Sequence, residues 1–389
     1  MPLPFGNIKV RRIFSSARRH RFGLLTLILW VYSQSSYAVV LDMREGVTDI
    51  SQRIHELHTI SLWVCIIVGI IVFGAMFATM FLHRQSRHPN PASFHESAVV
   101  EAIWTIIPVL ILIGIAIPAT ILLREIEDNS DADLTVLVTA SQWKWHYQYV
   151  DTNVAFYSKL ATPQEQIDNL EPKGENYLLE VDQRLVLPTN KKVRFLMTSN
   201  DVIHSWWIPD FAVKQDAIPG FINEAWTRVE QPGVFRGQCA ELCGMDHAFM
   251  PIVVEVIAEE EFDVWLADQE LAMELASETA VADRNKTWAM DELMSIGESV
   301  YIEHCATCHQ PNGAGKGGKY PALDGSEITT GNVADHLDRV MNGQADTEMQ
   351  AWAPQLSDLD IAAVMTYERN SWSNNAADIV QPMTVFEAR

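Results

Sequence analysis

The sequence predicts a multidomain membrane protein: a two-helix transmembrane hairpin, a β-rich domain folded as an antiparallel sandwich or barrel, and an all-α module towards the C-terminal end. Three observations predict it. The apolar runs Leu62–Leu82 and Val99–Leu123, the first uncharged and the second carrying only Glu101, can each cross ~30 Å of hydrocarbon as a helix. From Asp133 to about Ile257, short β-rich runs alternate with turn formers. Beyond Trp288, helical patterns flank a compact cysteine motif.

Residues 1–38 read as a cleaved export signal. Six basic residues (Lys9, Arg11, Arg12, Arg18, Arg19, Arg21) and no acid precede or flank a short apolar core, Leu24–Val31, and the segment closes on Ser36-Tyr37-Ala38. Residues 39–130 form the hairpin, with spans at about 60–82 and 99–123. His83-Arg84-Gln85-Ser86-Arg87-His88 between the spans is basic, whereas the stretch from Arg124 onward is mostly acidic. The positive-inside tendency therefore places the short loop in the cytoplasm and both long flanks outside. Glu101 stands near the cytoplasmic end of the second span, where an acid snorkels, pairs or serves a proton path. Pro108 and Pro118 bend that span and call for neighbouring helices to satisfy the freed carbonyls.

Residues 131–258 form the β-domain, with strands expected at Leu134–Ala140, Trp143–Val150, Tyr177–Val181, Val193–Met197, Glu224–Val229 and Ile252–Val256. His204 is expected in the loop after the fourth of these, projecting toward the cysteine-rich stretch. That stretch, Gln238–Met250, holds Cys239, Cys243, His247 and Met250, a soft donor set suited to copper rather than calcium or magnesium. A mononuclear blue-copper site needs one cysteine, so the second sulfur is surplus; two sulfurs could bridge two coppers. A structural zinc site of Cys and His ligands is the rival.

Residues 259–287 read as an acidic linker, with a helix over Glu259–Met273 and a polar hinge over Ser277–Lys286. Residues 288–375 carry Cys305-Ala306-Thr307-Cys308-His309, the pattern of covalent haem c attachment: two thioethers to the vinyl groups and His309 on the iron. A thioredoxin-like redox motif lacks the following histidine and needs a βαβ setting. Helices are expected over Asp291–Glu303 and Leu356–Trp372, the latter capped by Ser357. Among Met341, Met349 and Met365, only Met349 lies in a loop, Asp346–Trp352, free to reach iron as the sixth ligand. Residues 376–389 are expected to be a tail.

The formal charge of −22 excludes a nucleic-acid partner and favours basic ones. Four of the five cysteines fall in the two motifs, which speaks for cofactor ligation over a disulfide framework, and Cys65 reads as a packing residue. No nucleotide loop or hydrolase triad is present in the sequence.

His204-Ser205-Trp206, Lys214–Gly220 and the Cys239–Met250 loop, in order after two spans, resemble subunit II of haem-copper cytochrome c oxidases. The closer likeness, over about Asp49–Trp372, is to bacterial forms with a fused C-terminal cytochrome c domain. The resemblance implies a cupredoxin barrel holding a dinuclear copper A centre, with Cys239 and Cys243 bridging and His204, His247, Met250 and the Glu241 carbonyl completing the shell. It also implies a magnesium or manganese ion at the Glu241 carboxylate, electron entry at Trp143, and a proton-uptake entrance at Glu101. Related haem domains often carry proline after the axial methionine, where Gln350 stands here. The implied partners are oxidase subunits I and III, an external cytochrome c and membrane lipid. The implied location is the bacterial inner membrane, with both cofactor domains on the periplasmic side. Membrane-anchored copper delivery or electron transfer outside an oxidase is the alternative.

Overall fold

The computed structural model describes residues 42–90, 95–344 and 347–389; the expected export signal and Asp346 lie outside the described residues. The described residues divide into two compact units, one holding residues 42–45 with His55–Ile115, the other Gly46–Ile54 with Ala116–Arg389.

Helix α1 spans Asp49–Leu82 and α2 Ala98–Ile126. Both are long and apolar enough to cross a membrane, and their most apolar stretches are essentially unburied. They extend past the expected spans into polar sequence at their outer ends. Helix α1 starts where the Ser51 amide donates to Thr48 Oγ1 (3.0 Å). Cys65 is exposed on α1, so the packing role expected for it is not what the described residues show.

Ten strands follow: β1 Leu134–Ser141, β2 Lys144–Tyr149, β3 Ala155–Ser158, then after the short helix α3 (Gln164–Ile167) β4 Leu185–Pro188, β5 Val193–Ser199, β6 His204–Ile208, β7 Val213–Ala217, β8 Asn223–Thr227, β9 Gly233–Cys239 and β10 Pro251–Ile257. They form two five-stranded sheets, ordered β3-β2-β1-β5-β8 and β4-β10-β9-β6-β7, a cupredoxin-like sandwich. Most pairs are antiparallel, while β1 with β5 and β4 with β10 run parallel. Alternation supplies the core: Trp145, Tyr147 and Tyr149 of β2 face Phe195, Trp206 and Val254, all fully buried.

Two expectations for the β-domain do not hold. Tyr177–Val181 makes only an isolated bridge, Val181 to Leu160, because the neighbouring Leu185–Pro188 takes the edge beside β10. His204 does not trail a strand; it opens β6, which the sequence hides behind the turn formers Ser199-Asn200-Asp201.

Helix α4 runs unbroken over Glu259–Asn285, so no hinge interrupts it at Ser277. Ala276, Glu278, Ala280 and Ala282 are adequate helix formers, and both ends are anchored. Phe262 packs into the β-domain core against Tyr149, and Arg284 pairs with Asp358 at 3.0 Å. The C-terminal module then contains α5 Met290–His304, α6 Ala306–His309, α7 Glu327–Thr330, α8 Val333–Asn342, α9 Asp358–Asn370 and α10 Pro382–Ala388. Ser357 caps α9 as expected, accepting from the Asp360 amide (3.1 Å). Gly297 lets α5 and α9 meet, since a Cβ there would lie 2.1 Å from the Ala363 carbonyl oxygen. Residues 376–389 are no free tail: Val380 and Val385 are buried in this module's core, and Arg389 pairs with Asp358 at 2.6 Å.

Candidate metal centre

Pairing of β6 with β9 sets Trp206 opposite Cys239 and brings His204, two residues back, to the end of the sandwich where the cysteine loop begins. His204 Nδ1 lies 3.9 Å from Cys239 Sγ, and the two sulfurs of Cys239 and Cys243 are 3.8 Å apart. The three ligand atoms fall within 4.8 Å of one another, the one such group among the described residues. Cys239 Sγ is 3.4 Å from the Glu241 carbonyl oxygen, and Cys243 Sγ is 3.5 Å from His247 Nδ1. Met250 ends the loop, buried, and its carbonyl accepts from the Cys239 amide (3.0 Å). Donors of sulfur, imidazole nitrogen and carbonyl oxygen thus converge from β6, β9 and the loop to β10, with His204, Cys239, Cys243 and Met250 all buried. This set fits a soft metal, and it holds two sulfurs where one copper would use one.

Residues that sequence reasoning passed over orient this group. Asp201 Oδ1 lies 2.9 Å from His204 Nε2, so the imidazole turns its Nδ1 to the sulfurs. Asp201 also accepts from the Gln142 amide (2.7 Å), and these hydrogen bonds hold its carboxyl below the usual range against the opposing effect of burial. Burial alone would lower the His204 pKa, but Asp201 and the Cys239 sulfur outweigh it and raise it. Hydrogen bonding between the sulfurs lowers the Cys239 thiol and raises that of Cys243. Gln142 Nε2 and Trp143 Nε1 both donate to the Cys243 carbonyl, at 2.8 and 3.3 Å. A sequence signal for Asp201 existed: an acid three residues before a candidate histidine ligand.

In the C-terminal module, Cys305 joins α5 to α6, and Cys308 and His309 close α6. His309 is buried, and its Nδ1 lies 2.9 Å from the Pro321 carbonyl oxygen, the arrangement that leaves Nε2 as a ligand atom. Both thiols are raised, Cys305 chiefly by burial, and Cys308 by burial, Glu348 and Asp246. Met349 and Cys305 are both partly buried and packed against the same core, while Met341 and Met365 are buried within it on α8 and α9. These residues fit a covalently held haem.

Glu101 stands apart from both groups. It lies in the first turn of α2, exposed, its carboxylate 3.4 Å from the Ser97 amide. The Glu241 side chain is exposed beside the sulfur loop.

Three family models match the chain: "Cytochrome C oxidase subunit II, transmembrane domain" over residues 36–122, "Cytochrome C oxidase subunit II, periplasmic domain" over 134–257, and "Cytochrome C oxidase, cbb3-type, subunit III" over 292–367. Cytochrome c oxidase subunit 2 of Cereibacter sphaeroides is 37% identical over 264 residues, covering 63% of this chain and 87% of the relative. That of Cyanidium caldarium is 35% identical over 235 residues, covering 59% and 90%. Among solved structures, the periplasmic domain of subunit II of cytochrome oxidase of Bradyrhizobium japonicum is 42% identical, covers 36% of this chain and 96% of that one, and has a TM-score of 0.33.

Proposed function

Because the chain belongs to the cytochrome c oxidase subunit II family, fused to a cytochrome c domain, we propose that it takes electrons from an external cytochrome c through its own haem c to a dinuclear copper A centre, and on to haem a of subunit I, where oxygen is reduced. Copper held by Cys239, Cys243, His204, His247, Met250 and the Glu241 carbonyl would supply one-electron storage. Haem on Cys305, Cys308, His309 and Met349 would supply a carrier whose methionine ligand raises its potential. Trp143 is the group through which charge reaches the copper loop, and Glu101 the acid at a proton-uptake entrance. The Glu241 carboxylate would meet a magnesium or manganese ion at the subunit I boundary. Subunit III and lipid complete the surroundings, with both cofactor domains on the periplasmic side of a bacterial inner membrane.

The observation that carries this reading is the convergence of His204 from β6, Cys239 from β9 and Cys243 from the loop that follows into one buried cluster. Burial suits retention of metal, not its delivery to another protein, which needs exposed and exchangeable ligands. The chain's own residues do three things here. The β6–β9 ladder fixes the donor positions, Asp201 holds the imidazole, and the barrel wall of Trp145 and Met250 excludes water.

The test uses the full chain, copper-loaded, with haem attached. A mixed-valence copper signal in the electron paramagnetic resonance spectrum is expected, and Cys239→Ser is expected to abolish it while leaving the haem absorption intact. A parent chain that takes up no copper pair after careful loading would refute the proposal.

A further inference from the structure

The outer face of the β2–β3 edge carries a polar and aromatic patch that the copper cluster does not use. Strand β2 buries Trp145, Tyr147 and Tyr149, so Lys144 and His146 point outward, and β3 sets Tyr157 opposite His146 with their rings 4.6 Å apart. The C-terminal module covers this patch. Lys144 Nζ lies 4.8 Å from the centre of the Trp352 ring and 5.1 Å from that of Tyr157. Tyr157 donates to the Pro354 carbonyl (3.4 Å), Lys159 pairs with Glu303, and Lys316 Nζ is 4.0 Å from Met245 Sδ on the cysteine loop.

Two features tie this contact to the cofactor residues. Gln350, next to Met349, places its Nε2 3.5 Å from the Gln142 carbonyl oxygen, and Gln142 in turn donates to the Cys243 carbonyl. Trp352 is buried and also meets the ring of His304, the residue before Cys305 (5.4 Å). The contact therefore runs from the haem-attachment turn to the sulfur loop along a short line of side chains. Lys144 is at its centre, losing water between two aromatic faces, where a cation gains most from the ring quadrupole. Burial, helped by Lys159 and opposed by Glu303 and Asp201, brings its pKa down to about 8, which marks how dry the contact is.

We propose that Lys144 is the positioning residue that seats the haem module on the outer face of β2 and β3. The seated module reserves the Trp143 surface for the chain's own haem, so an external donor protein delivers its electron to the module and not to the copper loop. This rests on the function proposed above. The step being positioned moves one electron from ferrous haem to the oxidised copper pair, with no bond made or broken and no proton transferred.

The test compares the full, copper- and haem-loaded chain in detergent with Lys144→Met, Lys144→Arg and Trp352→Ala. Hydroxyl-radical footprinting of Tyr157 reads the seating without reference to activity, and flash reduction of the haem reads transfer to copper. Lys144→Met and Trp352→Ala are expected to raise Tyr157 oxidation severalfold and slow internal transfer about tenfold, the scale of one desolvated cation–π contact. Both should open direct reduction of copper by added cytochrome c, and Lys144→Arg should restore the parent behaviour. Parent-like footprint and transfer in both disruptive variants would overturn the proposal, as would an altered footprint with unchanged transfer. If one disruptive variant loses its cofactors, the other decides. A parent chain in which flash-reduced haem never reduces copper would instead sink the functional reading, whatever the footprint shows.

Discussion

Asp201 shows how much a single carboxylate can settle. It accepts from the Gln142 amide and faces His204 Nε2, so it fixes both the ring that aims at the sulfurs and the Gln142-Trp143 turn that leads into β2. Ligand orientation of this kind is worth roughly 10–100-fold in metal affinity. Asp201→Asn is therefore expected to weaken copper binding by that factor in a chelator competition, with the β-domain still folded. At this scale the sequence was informative about chemistry and nearly silent about support, the acid three residues before His204 being its one trace. Cys239, Cys243 and His247 announce themselves by donor type and spacing, and His204 enters through the family resemblance, whereas Gln142 and Asp201 act through distances that folding creates.

Strands and helices place those groups. Gly237 sits in β9 against β6, where a Cβ would lie 1.9 Å from the Trp207 carbonyl oxygen. Gly237→Ala must push the two strands apart, and it is expected to lower β-domain stability by roughly 1–3 kcal/mol, read as a drop in thermal midpoint with weakened copper retention. The same strand explains what could not be read ahead. Gly233-Val234-Phe235-Arg236-Gly237-Gln238-Cys239 carries two glycines and little β-branching, so it resembles a loop until its partners β6 and β10 supply the ladder. Strands β1, β2, β5, β8 and β10 were legible because alternation or β-branched runs mark them; β3, β4, β6 and β7 are short, β9 is interrupted by glycine, and all five owe their form to neighbours. The two apolar helices, the haem motif and the Ser357 cap needed no tertiary information. The polar stretch Ser277–Lys286 did, since helix there depends on anchors at Phe262 and Arg284.

At the scale of the molecule, 28 basic against 50 acidic residues give a field that reaches beyond any one contact. Association with a basic external cytochrome c is expected to slow as ionic strength rises, measured by stopped-flow reduction of the haem, because screening shortens that reach to ~8 Å at 0.15 M salt. A second whole-molecule property follows from α4. At 27 residues and 1.5 Å each it is a rod of about 40 Å, fastened to the β-domain at one end and to the haem module at the other. A floppy tether would be indifferent to its own length, but a rod has a gear phase. One alanine inserted after Ala276 turns everything downstream by ~100°, and it is expected to expose Tyr157 to radical oxidation as fully as Trp352→Ala does. The donor would then arrive facing the wrong way, its haem carried past the copper loop by a rotation no side chain can undo.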